Sequence, residues 1–354
     1  LEHNVYSCLP SYVEAAFAHL SAMLASGASA LTDDIGRGIF AAQTLHAMLT
    51  IATAAAVGRL VVLLTASRDD SDAQARASIR AGGLAASAFL LTPWVIVVGS
   101  MAYNEMVVAL MLVGALVAAR EQGCSPLARG LLIGLIMGGA VGAKLTAAYM
   151  AVPAVALAAL LWTPRAAWLY LFAAAAATGM LFLAPYLARN AIWLGNPVFP
   201  FATSLFGEAH WTAEQVAKWN GAHHSSLGLL QRLSLLVSIE RGALHPQWFI
   251  FFPAALAGAS LAMIDRALRS VAGALLLALG LQVLAWLAFG HQQSRFLLPA
   301  APIGAALIGL AAAVALRALA SWRRRGLVLI SAALAAMAVV SMLNFLSQNS
   351  ARPN

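Results

Sequence analysis

Charged residues are scarce in this sequence, since only 10% of its 354 residues are Asp, Glu, Lys or Arg. Hydrophobic residues make up 62% of the chain, and the mean hydropathy is +0.83. A soluble domain carries about 25% charged residues and cannot bury so much apolar surface. The composition therefore excludes a soluble enzyme, a disordered chain and a fibrous protein, and it predicts an integral membrane protein.

Cysteine is rarer still, since the chain contains only Cys8 and Cys124. The topology predicted below places these two residues on opposite sides of the membrane, which argues against a disulfide between them. The cysteines show no zinc-binding spacing. Adjacent His223 and His224 would point about 100° apart on a helix, so they are not expected to share a metal ion. The residues alone identify no certain cofactor.

Apolar runs recur in lengths near the roughly 20 residues that a helix needs to cross about 30 Å of hydrocarbon. Residues 11–30 are less clear, because Glu14 and His19 are costly in lipid, so this stretch is expected to lie against the membrane face or pack in the bundle. The predicted fold class is an all-α, polytopic transmembrane helical bundle of about ten spans. These spans are residues 36–64, 81–99, 101–119, 129–144, 146–162, 168–187, 247–264, 271–289, 296–316 and 327–346.

Basic residues are segregated between alternate loops of this predicted bundle. Positive charge is retained on the cytoplasmic side of a membrane, so the arginine-rich loops are predicted to be cytoplasmic. Most of the net charge of +8 then reflects topology, which removes the main support for a nucleic-acid partner. The residues concerned are Arg68, Arg76, Arg80, Arg120, Arg129, Arg165, Arg266, Arg269, Arg317, Arg323, Arg324 and Arg325.

The predicted spans divide the chain into five parts. The long loop between the two groups of spans carries Trp193, Trp211 and Trp219, a composition typical of the bilayer surface. The parts are residues 1–35, the end of an extracytoplasmic loop with a membrane-associated helix; 36–187, six spans; 188–246, an extracytoplasmic loop; 247–346, four spans; and 347–354, a tail.

Polar residues at the predicted extracytoplasmic helix ends are the candidates for chemistry, because they could share one cavity. Lys144 and Arg295 break the charge segregation, which favours binding of an anionic headgroup or phosphate. Ordinary roles stay open, since both side chains could extend toward lipid headgroups and Glu105 could face the dipole of its own helix. The set comprises Asp33, Asp34, Arg37, Tyr103, Asn104, Glu105, Lys144, Arg189, Asn190, His291 and Arg295.

Several segments resemble the GT-C superfamily of polytopic membrane glycosyltransferases, in particular bacterial members related to protein mannosyltransferases and aminoarabinose transferases. The last two segments are the most specific, and with the predicted helices the resemblance spans nearly the whole chain. The segments are HNVYSCLPSYVEAAF at 3–17, AYNEM at 102–106, GAKLTA at 142–147, RNAIWLGNPVFPF at 189–201 and SRFLLPAAP at 294–302.

The resemblance implies transfer of a sugar from a polyprenyl-phosphate carrier to a lipid, glycan or protein acceptor, on the extracytoplasmic face of the bacterial inner membrane. Membrane lipids would surround it. Glu105 is implied as an auxiliary residue that positions the acceptor, or a divalent metal where a member uses one. The implied donor-phosphate residues are Lys144, Arg189 and Arg295, and the implied substrate-binding residues are His3, Asn4, Tyr6, Tyr103, Asn104, Glu105 and His291.

The sequence departs from the family at its start, because the family's catalytic carboxylate precedes the segment that begins here at His3. We therefore expect the first spanning helix and the catalytic Asp motif to lie upstream of Leu1, and the catalytic residue is unknown. Two alternatives remain open, a catalytically inactive fragment or scaffold and a transporter or flippase of an anionic amphiphile. A transporter needs polar residues near mid-bilayer, where this sequence has mainly Gln43, His46 and Gln282.

Overall fold

The computed structural model describes residues 9–24, 31–66, 71–121, 123–223, 227–235, 247–289, 292–318 and 339. The described residues form helices and turns without any strand, which confirms the all-α class. In order, the helices are α1 (Tyr12–Leu24), α2 (Leu31–Thr65), α3 (Asp72–Leu90), α4 (Pro93–Gly99), α5 (Glu105–Arg120), α6 (Pro126–Ala143), α7 (Ala147–Met150), α8 (Val152–Trp162), α9 (Trp168–Leu194), α10 (Thr203–Phe206), α11 (Ala213–His223), α12 (Leu229–Leu235), α13 (Gln247–Ile264), α14 (Arg269–Phe289) and α15 (Ala301–Ala318). Two 3-10 helices, Arg165–Ala167 and Ser294–Ala300, precede α9 and α15.

Six segments are long and apolar enough to cross a membrane, which confirms a polytopic helical membrane protein. A seventh span forms if α3 and α4, which are bent by 68° relative to each other, count as one. The six are Gly38–Thr65, Pro126–Ala143, Arg165–Leu194, Gln247–Ile264, Arg269–Phe289 and Ser294–Ala318.

Four of the ten predicted spans are not among these six segments. The predicted span 81–99 is divided between α3 and α4, the bent pair. The predicted span 101–119 is α5, which has 16 residues because a turn precedes Glu105. The predicted span 146–162 is broken at Ala151 into two helices. Helix α7 ends before Ala151, and α8 begins with Val152 and Pro153 directly after it. The predicted span 327–346 lies outside the described residues apart from Val339.

Helix α1, which covers residues 12–24 of the uncertain stretch 11–30, packs against the bundle along one side. Its Val13 and Phe17 are buried in a small cluster with Ala42 of α2 and Ala143 of α6. Glu14 lies on the exposed side of α1, and its Oε2 accepts a hydrogen bond from the backbone N–H of Ser11 at 2.7 Å.

Helices α6 and α9 touch through their backbones at a ladder of small residues. A Cβ atom added at Gly130 would lie 2.2 Å from the carbonyl oxygen of Leu171, and one at Gly134 would lie 2.1 Å from that of Ala175. Glycines spaced four apart share one helix face and allow this approach. Contacts advance along both helices in the same sense, so α6 and α9 are parallel and end on the same side.

The predicted cytoplasmic connections meet at one end of the bundle. Arg317 at the end of α15 donates a hydrogen bond to the carbonyl of Thr65, the last residue of α2, and its Nη1 lies 3.8 Å from Asp265 Oδ2. At the start of α6, Arg129 Nη1 donates to the carbonyl of Ala119 at 3.0 Å. We call the opposite end, which contains residues 99–105, 143–147 and 292–296, the outer end.

Candidate functional site

The start of α5 places a carboxylate at the outer end. A turn through Ser100–Asn104 ends α4, and the Asn104 side chain crosses to α6, where its Nδ2 donates to the carbonyl of Ala143 at 3.3 Å. Glu105 is the first residue of α5 and is only 3% exposed. The turn therefore fixes Glu105 inside the bundle and not on its rim.

Lys144 lies where α6 ends and reaches the same carboxylate. Its backbone leaves the helix in an extended conformation, with φ −156° and ψ 116°, and its N–H donates to the carbonyl of Ala140. Its Nζ donates to Glu105 Oε1 at 2.7 Å, while the side chain remains 17% exposed. Glu105 Oε2 is buried and has no hydrogen-bond partner among the described residues. The ion pair thus uses only half of the carboxylate.

Arg295 reaches this region from the 3-10 helix Ser294–Ala300. Two buried indoles anchor that segment, since Trp248 Nε1 donates to Ser294 Oγ at 2.7 Å and Trp286 Nε1 donates to the carbonyl of Gln293 at 3.1 Å. Arg295 Nη1 donates to the hydroxyl oxygen of Tyr103 at 3.3 Å. Its guanidinium also lies 5.3 Å from the centroid of the Tyr103 ring. The turn before α5 therefore contacts Arg295 as well as Lys144.

A single aromatic ring brings the two cations together. The Phe296 ring centroid lies 4.9 Å from Lys144 Nζ and 5.0 Å from the Arg295 guanidinium carbon. We call Glu105, Lys144 and Arg295 the ionic cluster. Two positive charges and one negative charge leave it with a formal charge of +1, which favours an anionic ligand.

Gln282 fastens the two segments that carry the cations. Its Nε2 donates to the carbonyl of Met150, at the break between α7 and α8, at 2.9 Å, and to the carbonyl of Pro299 at 3.0 Å. Gln282 is only 1% exposed. The sequence marks this mid-helix glutamine as a polar exception. Its side chain donates hydrogen bonds to two backbone carbonyls and does not line a transport path.

A cavity of about 20 Å³ adjoins the ionic cluster. That volume suits about one water molecule, so a phosphate group must approach Lys144 and Arg295 from their exposed sides. Both side chains remain partly exposed, which leaves this approach open. The cavity is lined by Glu105, Val108, Lys144, Thr146, Tyr149, Met150, Trp286, Phe296 and Pro299.

The structure groups some of the predicted site residues and separates one of them. Tyr103, Asn104, Glu105, Lys144 and Arg295 lie together at the outer end. His3, Asn4, Tyr6 and His291 lie outside the described residues, so their roles stay predictions.

Arg189 is placed differently from the sequence prediction. The sequence predicts that Arg189 opens the long loop, but α9 continues to Leu194. No Pro or Gly lies between Pro185 and Gly195, which takes a left-handed φ of 70° and ends the helix. Arg189 Nη2 donates to Asn190 Oδ1 at 2.9 Å, and the guanidinium lies 5.0 Å from the Tyr186 ring centroid. Among the described contacts, none joins Arg189 to the ionic cluster.

The tract after α9 is held in a defined loop by its own hydrogen bonds and ring contacts. Asn196 is fully buried, accepts a hydrogen bond from the Val198 N–H at 3.0 Å and donates to the carbonyl of Phe201 at 2.9 Å. Phe199 packs edge-on against Trp211, with ring centroids 4.6 Å apart. The position of this loop on the bilayer surface stays a prediction.

Sequence reasoning missed two residues of the site. Phe296 follows Arg295 directly, and an aromatic residue beside an outward arginine is the signal that could have identified it. The sequence indicates only that His46 of α2 is a polar residue in an apolar helix. In the structure His46 is fully buried and interacts electrostatically with Glu105.

In the part of the chain that the structure describes, no three His, Cys, Asp or Glu side chains are grouped to hold a metal ion. The Glu105 carboxylate is paired with a lysine instead. The divalent metal implied for some family members therefore has no assigned ligand set here.

No family model matches the sequence, and no curated protein matches it. A solved structure with a related shape is the crystal structure of ArnT from Cupriavidus metallidurans bound to undecaprenyl phosphate, with a TM-score of 0.49 and 16% sequence identity. The similarity covers 76% of this chain and 45% of that ArnT chain, so this chain matches less than half of its length.

Proposed function

We propose that this protein is an integral membrane glycosyltransferase of the GT-C type. It moves a hexosyl or pentosyl group from a polyprenyl-phosphate donor to a lipid, glycan or protein acceptor on the extracytoplasmic face. The single observation that supports this most strongly is the convergence of Glu105, Lys144 and Arg295 around Phe296 at one end of the bundle.

The chemistry of direct sugar transfer needs cations near the donor phosphate. The acceptor oxygen attacks the anomeric carbon, its proton passes to a carboxylate base, and the carbon–oxygen bond to phosphate breaks with its electron pair on the phosphate oxygen. Preorganised cations stabilise that developing charge. Lys144 and Arg295 serve this role in the proposal, since Lys144 is held by the buried Glu105 and Arg295 by the half-buried Tyr103, yet both keep an exposed side.

Glu105 acts in this proposal by holding Lys144 in place. Its nearly buried carboxylate accepts a hydrogen bond from the Lys144 ammonium group at 2.7 Å. This contact fixes the position of the Lys144 charge. The proposal assigns the carboxylate base that receives the acceptor proton to none of the described residues. Arg189, Tyr103 and Asn104, together with His3, Asn4, Tyr6 and His291, remain proposed contacts of the donor or acceptor.

The orientation of the site follows from the arginines at the other end. Arg129 and Arg317 bind carbonyls at the end opposite to the ionic cluster, and retained positive charge marks the cytoplasmic side. The cluster therefore faces the extracytoplasmic side in the proposal, as expected for a multi-pass protein of the bacterial inner membrane.

A transporter or flippase of an anionic amphiphile is the competing function. It would need a polar site near mid-bilayer that both faces can reach. Of the polar residues noted there, Gln282 bonds to two backbone carbonyls, and His46 lies against the Glu105 end of the site. These positions favour one-sided chemistry at the outer end.

Transfer assays with the full-length protein test the proposal. Membranes that contain it are supplied with radiolabelled polyprenyl-phosphoryl sugars, one hexose and one pentose, and release of polyprenyl phosphate is measured. We expect replacement of Lys144 or Arg295 by Ala to lower the rate by about 100-fold or more, the usual effect of losing one donor to a developing anion.

Matched controls are available in the chain itself. Lys218→Ala removes the other lysine, which is exposed on α11, and Arg80→Ala removes an exposed arginine of α3. Both variants should keep the wild-type rate. Wild-type turnover by Lys144→Ala and Arg295→Ala would remove the ionic cluster from the reaction and overturn the proposal.

A further inference from the structure

His46 is a buried ionisable side chain that the proposed reaction does not use. It is fully buried in α2, its ring nitrogens make no close hydrogen bond to the described residues, and the ring lies against the backbone of Val98, Gly99 and Met101. Such a residue calls for a functional explanation.

The packing of α2 places His46 beside the start of α5. Thr50 lies one turn after His46 on α2 and is close to Gly99. A Cβ atom added at Gly99 would lie 2.7 Å from Thr50 Oγ1. Thr53 Oγ1 then donates to the carbonyl of Met106 at 3.5 Å. His46 itself lies against the backbone of the turn that precedes Glu105 and interacts electrostatically with that carboxylate.

Other charged groups are absent from the described surroundings of His46. From α1 it meets Phe17, edge-on with ring centroids 6.2 Å apart, while Glu14 of that helix bonds to Ser11. Helices α3 and α15 approach α2 further toward its carboxyl end, where Gly82 faces Gly58 and Gly309 faces Val61. Among the described charged groups, Glu105 is the one that acts electrostatically on His46, and no hydrogen bond joins the two side chains.

The ionic cluster contains a conflict that His46 can resolve. Lys144 must offer its charge to a lipid phosphate, yet Glu105 already neutralises it at 2.7 Å. Glu105 Oε2, the oxygen that Lys144 does not use, is buried and unpaired in the described structure. A cation on the far side of Glu105 would compensate the carboxylate and release Lys144 to the phosphate.

We propose that His46 is that cation, so that binding of a lipid phosphate at Lys144 and Arg295 is coupled to uptake of one proton by His46. His46 is thus a positioning residue that acts through Glu105. The inference rests on the proposed function, because it assumes that the ionic cluster binds a polyprenyl phosphate.

Proton uptake on binding fixes the sign of the pH dependence. A ligand that binds together with a proton binds more tightly as the pH falls. By linkage, its dissociation constant changes by up to about tenfold per pH unit over the pH range in which His46 is neutral in the free protein. The dissociation constant of the lipid phosphate should therefore rise as the pH is raised from about 6 to about 8, in the range where imidazole titrates.

The experiment measures binding of the methyl diester of a polyprenyl phosphate to the full-length protein in detergent by calorimetry. A diester is used because a phosphate monoester itself takes up a proton near about pH 6. Titrations in two buffers with different ionisation enthalpies give the number of protons taken up. The variants are His46→Gln and His46→Phe, and His19→Gln is the matched control, since His19 is exposed on α1.

We expect the wild type and His19→Gln to take up about one proton and to lose affinity as the pH rises, by the linkage relation. Both His46 variants should take up none and bind with the same affinity at each pH. Equal wild-type affinity across the range, or proton uptake that persists in the His46 variants, overturns the inference alone. Failure of the wild type to bind the diester at any pH overturns the proposed phosphate site and the inference with it.

Discussion

At the level of single residues, the Glu105–Lys144 pair is costly to keep. Glu105 is 3% exposed and Lys144 is 17% exposed, so both charges lose much of their hydration for one hydrogen bond. A buried ion pair of this kind is often no more stable than apolar residues of the same size. The pair is therefore better explained by a need for a fixed positive charge at the outer end than by fold stability.

Breaking the pair tests that explanation. Lys144→Met should lower the free energy of unfolding by about 3 kcal/mol, because it leaves an uncompensated carboxylate in the bundle. The double variant Lys144→Met/Glu105→Gln should recover most of this loss, since no buried charge remains. Denaturant unfolding in detergent, followed by circular dichroism, measures both.

Lys218→Met is the control, because Lys218 is exposed on α11 and should leave stability unchanged. Strictly additive losses in the double variant would mean that the two side chains do not stabilise each other, in conflict with their 2.7 Å contact.

Several arginines have a second role beside marking topology. Arg129 and Arg317 donate to the final carbonyls of α5 and α2. Arg232 does the same for α14, since its Nη1 donates to the carbonyls of Leu287 and Ala288 at 2.9 and 3.0 Å. Carbonyls at a helix end lack partners within the helix, and a guanidinium satisfies them in a place where water is scarce.

At the level of elements, α6 and α9 are in direct backbone contact at Gly130, Gly134 and Gly138. Lys144 continues directly from α6, so the position of this helix determines where the ionic cluster forms. Interfaces between helices in lipid gain stability from close packing, because lipid tails are as apolar as the side chains.

Gly134→Ala should therefore destabilise the protein. The new Cβ would lie 2.1 Å from the carbonyl oxygen of Ala175, which is backbone and can give way only if the helices separate. Overpacking of this kind costs about 1–3 kcal/mol, so the thermal unfolding midpoint should fall by several degrees, by about 2–8 °C in the usual relation.

Gly83→Ala of α3 provides the comparison, because a Cβ atom there meets nothing within 4 Å. It should leave the midpoint unchanged or raise it slightly, since Ala is the better helix former. An equal response of the two variants would show that α6 and α9 are not in backbone contact.

The positions of many helices could be predicted from the sequence because lipid imposes a length on apolar runs. Residues 247–264 and 271–289 match α13 and α14 closely for this reason. The end of α9 and the break at Ala151 were not predicted. Gly195 ends α9 only through its local conformation, and the break depends on Gln282, which lies far away in sequence and bonds to the freed Met150 carbonyl.

The site was only partly predictable for a similar reason. Charge segregation identified Lys144 and Arg295, because both are basic residues at helix ends that are predicted to be extracytoplasmic. Phe296 stands beside Arg295 in the sequence, but its contact with Lys144 and the position of His46 depend on contacts between distant segments. Local pattern does not predict which distant segments meet.

At the level of the whole molecule, the two ends of the bundle differ chemically. One end holds Arg129 and Arg317, and the other holds the ionic cluster and the loop after α9. The charge rule assigns the first to the cytoplasm and the second to the extracytoplasmic side.

Labelling of cysteines in intact cells tests this orientation. Cys124 is exposed in the connection between α5 and α6, so a membrane-impermeant maleimide should label it only after the cells are permeabilised. In a Cys8→Ser/Cys124→Ser background, Asn220→Cys on the exposed face of α11 should react in intact cells. The reverse pattern would place the ionic cluster in the cytoplasm.

The most direct test of the central claim is the affinity of the purified full-length protein for polyprenyl phosphate, measured at constant pH and salt. The account predicts one binding site, with affinity at least about tenfold weaker in Lys144→Gln and in Arg295→Gln, since each loses a charge-assisted contact worth about 1.5–3 kcal/mol. Arg80→Gln should bind as the wild type does. Equal affinity in all four proteins would contradict the claim that the ionic cluster holds the phosphate of a lipid carrier.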